Sequence, residues 1–294
     1  MMYVTTPGRR SQTDAPALGR PAPLALAGAV HQVFGPGGRF GNDDHIYYPD
    51  LMRAYGATCP PGAFEGRRNS YTDMITAVLP RLRPHADRFD LAVLAAATPD
   101  SQPGFPMCHL STLVPDAGLA FAVLDQGLVT AFTALQVLAN RARRDAAGRL
   151  LLIAVDQTTL LHDMPVPQPL RVEHDVVVVL AFDPVADAGR LHPPHSVSTH
   201  GRAPAAVLAE ALAEHEPQVL VTGAGLIGQL PEMSPGVLVV PARLGQPVTG
   251  VWQEVAVRLS RWQAEGARVL IADHDSDQER LATCLLDVTG TGRT

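Results

Sequence analysis

Phe89-Asp90-Leu91-Ala92-Val93-Leu94-Ala95-Ala96-Ala97, running straight into Thr98-Pro99-Asp100, is the stretch on which the fold turns. An apolar run of this length, closed by a Pro-Asp turn, reads as a strand buried on both faces of a sheet. It falls far short of the roughly 20 apolar residues of a membrane span. Outward along the chain the pattern recurs. Towards the C-terminus come a short strand, Ala120 to Leu124, a long helix from Gly127 to Arg144, and strands Leu150 to Val155 and Asp175 to Phe182. Towards the N-terminus a helix starts behind Ser70, which suits an N-cap, with Met74, Ile75, Val78, Leu79 and Leu82 at helical spacing. Before it lies a Gly-rich, aromatic segment, Phe34 to Pro61, read as an irregular surface loop because its glycines lack the GxGxxG spacing of a dinucleotide site. Leu24 to Val33 is a further buried strand, and residues 1–23 read as a flexible N-terminal tail with no apolar signal-peptide core.

The second half repeats the plan. His195 to His200 suggests a strand, Pro204 to His215 a helix with proline in its first turn, and Gln218 to Thr222 a strand entering Gly223-Ala224-Gly225. Gly236 to Val240, a helix from Val251 to Ala264 stopped by Gly266, Ala267 to Ala272, and Leu281 to Val288 complete it. Strands separated by helices predict an α/β fold whose sheets are covered on both faces. The shared order of elements predicts two pseudo-duplicated halves, residues 24–189 and 190–294, stacked in five layers.

Composition removes several function classes. The 294 residues include 23 basic and 29 acidic side chains, for a net charge of −6, so no electrostatic footprint for nucleic acid is present. Every basic residue is arginine. Schiff-base chemistry, covalent pyridoxal phosphate and a P-loop lysine are therefore excluded, and the Arg, Ala and Pro usage suggests a high-GC bacterial source. Cys59, Cys108 and Cys284 lie far apart, which indicates neither a disulfide framework nor a zinc knuckle, and the histidines spell no metal motif. No cofactor, metal or membrane association is expected, and the expected compartment is the cytoplasm.

Several segments together resemble the ketosynthase III-type enzymes of the thiolase superfamily. Thr98-Pro99-Asp100 with Phe105-Pro106 resembles their "TPD … FP" segment, and Ala120-Phe121 before a strand, turn and helix resembles their nucleophile elbow. Leu150 to Asp156, Glu173-His174-Asp175 into VVVVLAF, Gly245 to Gly250 before a helix, and Arg268 to Asp273 resemble the family's later strands and second catalytic loop. The resemblance implies the thiolase-type five-layer αβαβα architecture, a dimer formed through the TPD-containing half, and acyl thioesters on carrier protein or coenzyme A as ligands. It also implies where the catalytic residues belong. The family's cysteine, at a helix N-terminus that lowers its pKa and builds an oxyanion hole, falls on Gly127, with Gln126 beside it. The first histidine falls on Gly223 and the second His or Asn on Gln246. None of these side chains can act as nucleophile or exchange a proton near neutral pH. Gln126 also resembles the elbow of chain-length-factor subunits and decarboxylase-type ketosynthases.

Three substitutes have the right chemistry. His274, between Asp273 and Asp275, reads either as a carboxylate-oriented general base or as part of a solvated polar turn. Cys108-His109 cannot easily face one another on a helix. Asp156 and His162-Asp163 sit at or after a strand end, as catalytic residues do but also as ordinary turn residues do. The expectation is a pseudoenzyme: a non-condensing partner subunit of an active ketosynthase, in bacterial polyketide or fatty-acyl secondary metabolism, forming a heterodimer or else a homodimer and meeting an acyl carrier protein. A repurposed acyl-transfer or cyclising enzyme using His274 and Asp275, and an acyl-binding scaffold without turnover, are the alternatives.

Overall fold

A computed structural model describes residues 23–54, 56–144 and 148–290, so the expected N-terminal tail lies outside it except for Pro23. In chain order the first half contains β1 (Leu24–Val33), β2 (Gly38–Arg39), α1 (Asp44–Ala54), β3 (Arg67–Arg68), α2 (Tyr71–Val78), β4 (Arg88–Ala96), α3 (Pro106–Leu113), β5 (Asp116–Leu124), α4 (Thr130–Arg144), β6 (Leu150–Asp156) and β7 (Val176–Phe182). The second contains β8 (Gly189–Leu191), β9 (His195–Ser198), α5 (Pro204–His215), β10 (Val219–Thr222), β11 (Leu238–Pro241), α6 (Gly250–Glu265), β12 (Ala267–Asp275) and β13 (Arg280–Val288).

The strands of the two halves join edge to edge in the order β11-β10-β12-β13-β8-β1-β7-β6-β4-β5, with β9 also on β13. Each half reads the same outward from the antiparallel β8–β1 pair. The strand β4 lies parallel to both β5 and β6, and β7 runs antiparallel to β6. Likewise β10 lies parallel to both β11 and β12, and β13 runs antiparallel to β12. An internal twofold produces this relation.

Side-chain alternation then sorts the layers. On β6, Leu150, Leu152 and Ala154 enter a central core shared with α4 and α6, whereas Leu151, Ile153 and Val155 face a core under α2 and α3. On β12, Val269 and Ile271 face the central core, and Leu270 and Ala272 face a third core under α5. The result is α2/α3, sheet, α4/α6, sheet, α5: the five-layer α/β architecture. At the centre Phe132 of α4 and Trp252 of α6 pack with ring centroids 5.1 Å apart. No helix of the described residues is long and apolar enough to cross a membrane.

Two sequence expectations need correction. Residues 34–61 are not simply an irregular loop, because they contain α1 and the strand β2. Pro49 within α1 and the helix's many exposed polar positions hide its periodicity. Its first turn is fixed instead by Asp44, which accepts from Gly41 N (2.7 Å) and pairs with the buried Arg68 (2.9 Å). Asp273-His274-Asp275 is not a solvated turn either. The three residues extend β12, pairing with Ala282, Leu281 and Arg280 of β13, and the chain reverses only after them.

Candidate functional site

The strand β5 ends at Leu124, and the chain reverses through Asp125 (φ 58°) and Gly127 (φ 54°) into a 3-10 turn, Gly127–Val129, that continues as α4. Left-handed backbone at two positions within three residues makes this a tight elbow. It aims the free N–H groups of the helix start at β12. There Asp275 meets one of them: Leu128 N donates to Asp275 Oδ2 at 2.9 Å, while Asp275 Oδ1 accepts from Gln278 N in its own turn at 2.9 Å. A Cβ on Gly127 would lie 1.8 Å from Asp275 Oδ2. The carboxyl group therefore fills the space that any side chain at 127 would enter. Asp275 is only 4% exposed.

Two residues earlier on the same strand face, Asp273 does the same to the loop after β10. A Cβ on Gly223 would fall 1.9 Å from Asp273 Oδ2. Asp273 Oδ1 accepts from Gly225 N (3.0 Å) and from His274 N (2.8 Å). Burial, aided by neighbouring Asp275, pushes the Asp273 carboxyl up to about 8 against the pull of those two amides. Burial thus favours the protonated, neutral form of Asp273.

The start of α6 is built in parallel fashion from the other half. Asp156, at the end of β6, accepts from Val248 N (3.1 Å), Thr249 N (2.8 Å) and Thr249 Oγ1 (2.6 Å). Burial raises its pKa to about 6, and the Thr249 and Val248 donors oppose that shift. Asp156 follows Val155, which pairs with Ala96 of β4; Asp273 follows Ala272, which pairs with Thr222 of β10. These two aspartates hold corresponding places, but the hydrogen bonds of Asp273 stay within its own half, and it is Asp275, two residues on, that reaches the first half's central helix as Asp156 reaches the second's. Gln246 lies at the foot of α6, buried, with its backbone oxygen accepting from Gly250 N at 3.0 Å. Neither atom of its side-chain amide has a partner among the described residues.

The structure thus brings Gly127 and Asp275 into contact and sets Gly223 beside Asp273. His274 is a correction. Lying between the two aspartates on a strand, it faces the opposite side, towards the core under α5. Its Nε2 is 3.0 Å from Thr199 Oγ1, it is 5% exposed, and burial lowers its pKa, so it is a neutral core histidine and not a base beside the elbow. Half-buried Gln126 donates to its neighbour Asp125 O (3.4 Å). Cys108 is exposed, and His109 Nε2 lies 3.3 Å from Thr76 Oγ1 on α2. Asp163 ties two loops by accepting from Thr58 N (3.1 Å) and Thr58 Oγ1 (2.6 Å), which lower its pKa. Among the described residues no cluster of three or more His, Cys, Asp or Glu side chains has a metal-holding arrangement. Sequence reading passed over Asp273 as a residue in its own right and left Asp156 undecided. The pattern Asp-x-Asp at the end of a strand was the available sign, because residues i and i+2 share a face.

No family model matches the chain, and no characterised protein matches it by sequence. Solved structures do match. AbyA1, a tetronic acid condensing enzyme, is 16% identical with a TM-score of 0.62, covering 90% of this chain and 100% of that one. ChlB3, an acyltransferase, is 11% identical with a TM-score of 0.59, covering 92% and 99%. A 3-oxoacyl-(acyl-carrier protein) synthase from Burkholderia xenovorans LB400 is 14% identical with a TM-score of 0.59, covering 92% and 95%. Identities this low speak for the fold alone: the chain has the thiolase-type fold of these ketosynthase III-like condensing enzymes and acyltransferases.

Proposed function

We propose that this chain is a non-condensing partner subunit of an active ketosynthase in bacterial polyketide or fatty-acyl secondary metabolism. The observation that carries this reading is the carboxyl group of Asp275 in the space in front of Gly127. A condensing enzyme of this fold needs a nucleophile at that helix start and room for a thioester carbonyl beside it. Here glycine supplies no nucleophile, and Leu128 N is already engaged. Gly223 and Gln246, where the family resemblance puts the activating residues, cannot move a proton. The acyl thioester, on carrier protein or coenzyme A, would belong to the partner's active site, and this chain would shape the shared complex. The sheet edge supports a partner. The strand β5 ends the sheet with nine residues, one side unpaired among the described residues, and carries Leu119 at 64% exposure, with Phe105 at 80% beside the start of α3. A long apolar edge left bare invites pairing with another chain.

Two measurements test the reading. The isolated chain, incubated with malonyl carrier protein and an acyl donor, is expected to give no ketoacyl product; product formation refutes it. Co-expression with a ketosynthase is expected to yield a mixed complex by native mass spectrometry. A homodimer or monomer that ignores every ketosynthase offered counts against the partner role.

A further inference from the structure

We propose that the groove between α5 and the segment leading into β11 binds a small organic cation, an ammonium or guanidinium carried on an apolar body. The groove lies in the outer helical layer of the second half, so the proposal does not depend on the partner-subunit reading.

Three observations carry it. The first is a shaped space. Glu216 caps the end of α5, its N–H donating to Leu212 O at 2.9 Å, and the chain then turns through Pro217 into β10. The returning segment is tied alongside, because Leu238 N donates to Gln218 O at 2.9 Å. Between them lies a groove of about 520 Å³, lined by Leu212, Pro217, Met233 and Val237, three of which also pack on the core under α5. Small-molecule sites generally fall between about 300 and 1,000 Å³. The second observation is charge. The two ionisable residues that line the groove, Glu216 and Glu232, are both acidic and both exposed. Neither has an ion-pair partner among the described residues, whereas Glu210, Glu254 and Glu265 of the same half pair with Arg202, Arg258 and Arg261. Arg268, at the start of β12, is held by Asp287 at 3.6 Å. An apolar lining with two unanswered carboxylates complements a cation that has an apolar body, and disfavours an anion. The third is the placing of Glu216. It takes the left-handed conformation that ends α5 (φ 43°), where glycine fits without strain. The chain thus keeps a carboxylate on the groove at a position that favours glycine.

The experiment titrates the intact chain, by calorimetry, with three molecules on one skeleton: 4-phenylbutylammonium, 4-phenylbutanol and 4-phenylbutyrate. The ammonium is expected to bind saturably at one site, about tenfold tighter than the alcohol, and more weakly as salt is added. The carboxylate is expected not to bind. Glu216→Gly separates binding from folding: it should weaken the ammonium to the level of the alcohol while melting no lower than the wild type, because glycine adopts the left-handed cap freely. Glu232→Gln should weaken it likewise, and Ala209→Trp, which fills the groove from α5, should block all three molecules. Equal affinity for ammonium and alcohol overturns the proposal, as does ammonium binding that is unchanged in both Glu216→Gly and Glu232→Gln. A peptide of alternating arginine and leucine that binds where the ammonium does not also overturns it, and makes the groove a protein-docking surface.

Discussion

Asp273 and Asp275 show how one strand face can carry two aspartates with different work. Asp275 meets a helix start, while Asp273 is sealed between the β10 loop and its own backbone, and burial raises its pKa from 3.8 to about 8. The sign of the consequence is fixed by linkage. Between about 4 and 8 the folded chain holds a proton on Asp273 that the unfolded chain has released. Stability therefore falls as pH rises through that window and levels off above 8. Asp156, raised to about 6, adds to the fall only at the acid end. His274 acts oppositely: its lowered value removes stability as pH drops below its ordinary 6.5. Asp273→Asn keeps a neutral group in the same space. Its melting temperature is expected to decline less from pH 6.5 to 8 than the wild type's; parallel declines would mean that Asp273 is ionised in the folded chain. From sequence, Asp275, Gly127 and Gly223 were each visible as marked positions. What no local pattern shows is that residues so far apart in sequence touch, since that depends on the packing of two halves.

At the scale of elements, apolar runs made the buried strands legible, and the helix Pro204–His215 ends where its residues predict. Elements without an apolar signature were not legible: α1 with its internal proline, three-residue β8, and the polar end of β12, which pairing with β13 holds extended. The element with the most to test is β5. Among the described residues only β4 pairs with it, and Leu119 projects to solvent. If this edge carries the partner, Leu119→Lys should abolish the dimer, whether with itself or with a ketosynthase, because inward or edge lysines block strand pairing. The fold should hardly notice, since a surface substitution away from the core costs within about 0.5 kcal/mol. Sedimentation and a thermal melt separate the two effects. A dimer that survives the lysine places the interface elsewhere.

For the whole molecule, the shared order of elements makes the duplication legible in the sequence, and the β8–β1 junction shows how the halves meet. What joins them is more than that strand pair. Asp156 reaches from the first half to the start of α6, Asp275 reaches from the second to the start of α4, and Phe132 packs at a tilt against Trp252 between the two helices. Both rings are buried in the core that includes the inner faces of both sets of strands. Loss of a large buried ring generally costs about 3–5 kcal/mol, and here neither half can recover that contact alone. Trp252→Ala is therefore expected to lower the melting temperature of the entire chain in one transition, with far- and near-ultraviolet circular dichroism changing together. If the second half melted first and left the first half's transition where it was, the halves would be separable domains joined by strand contact, and the central pair would stabilise only one of them.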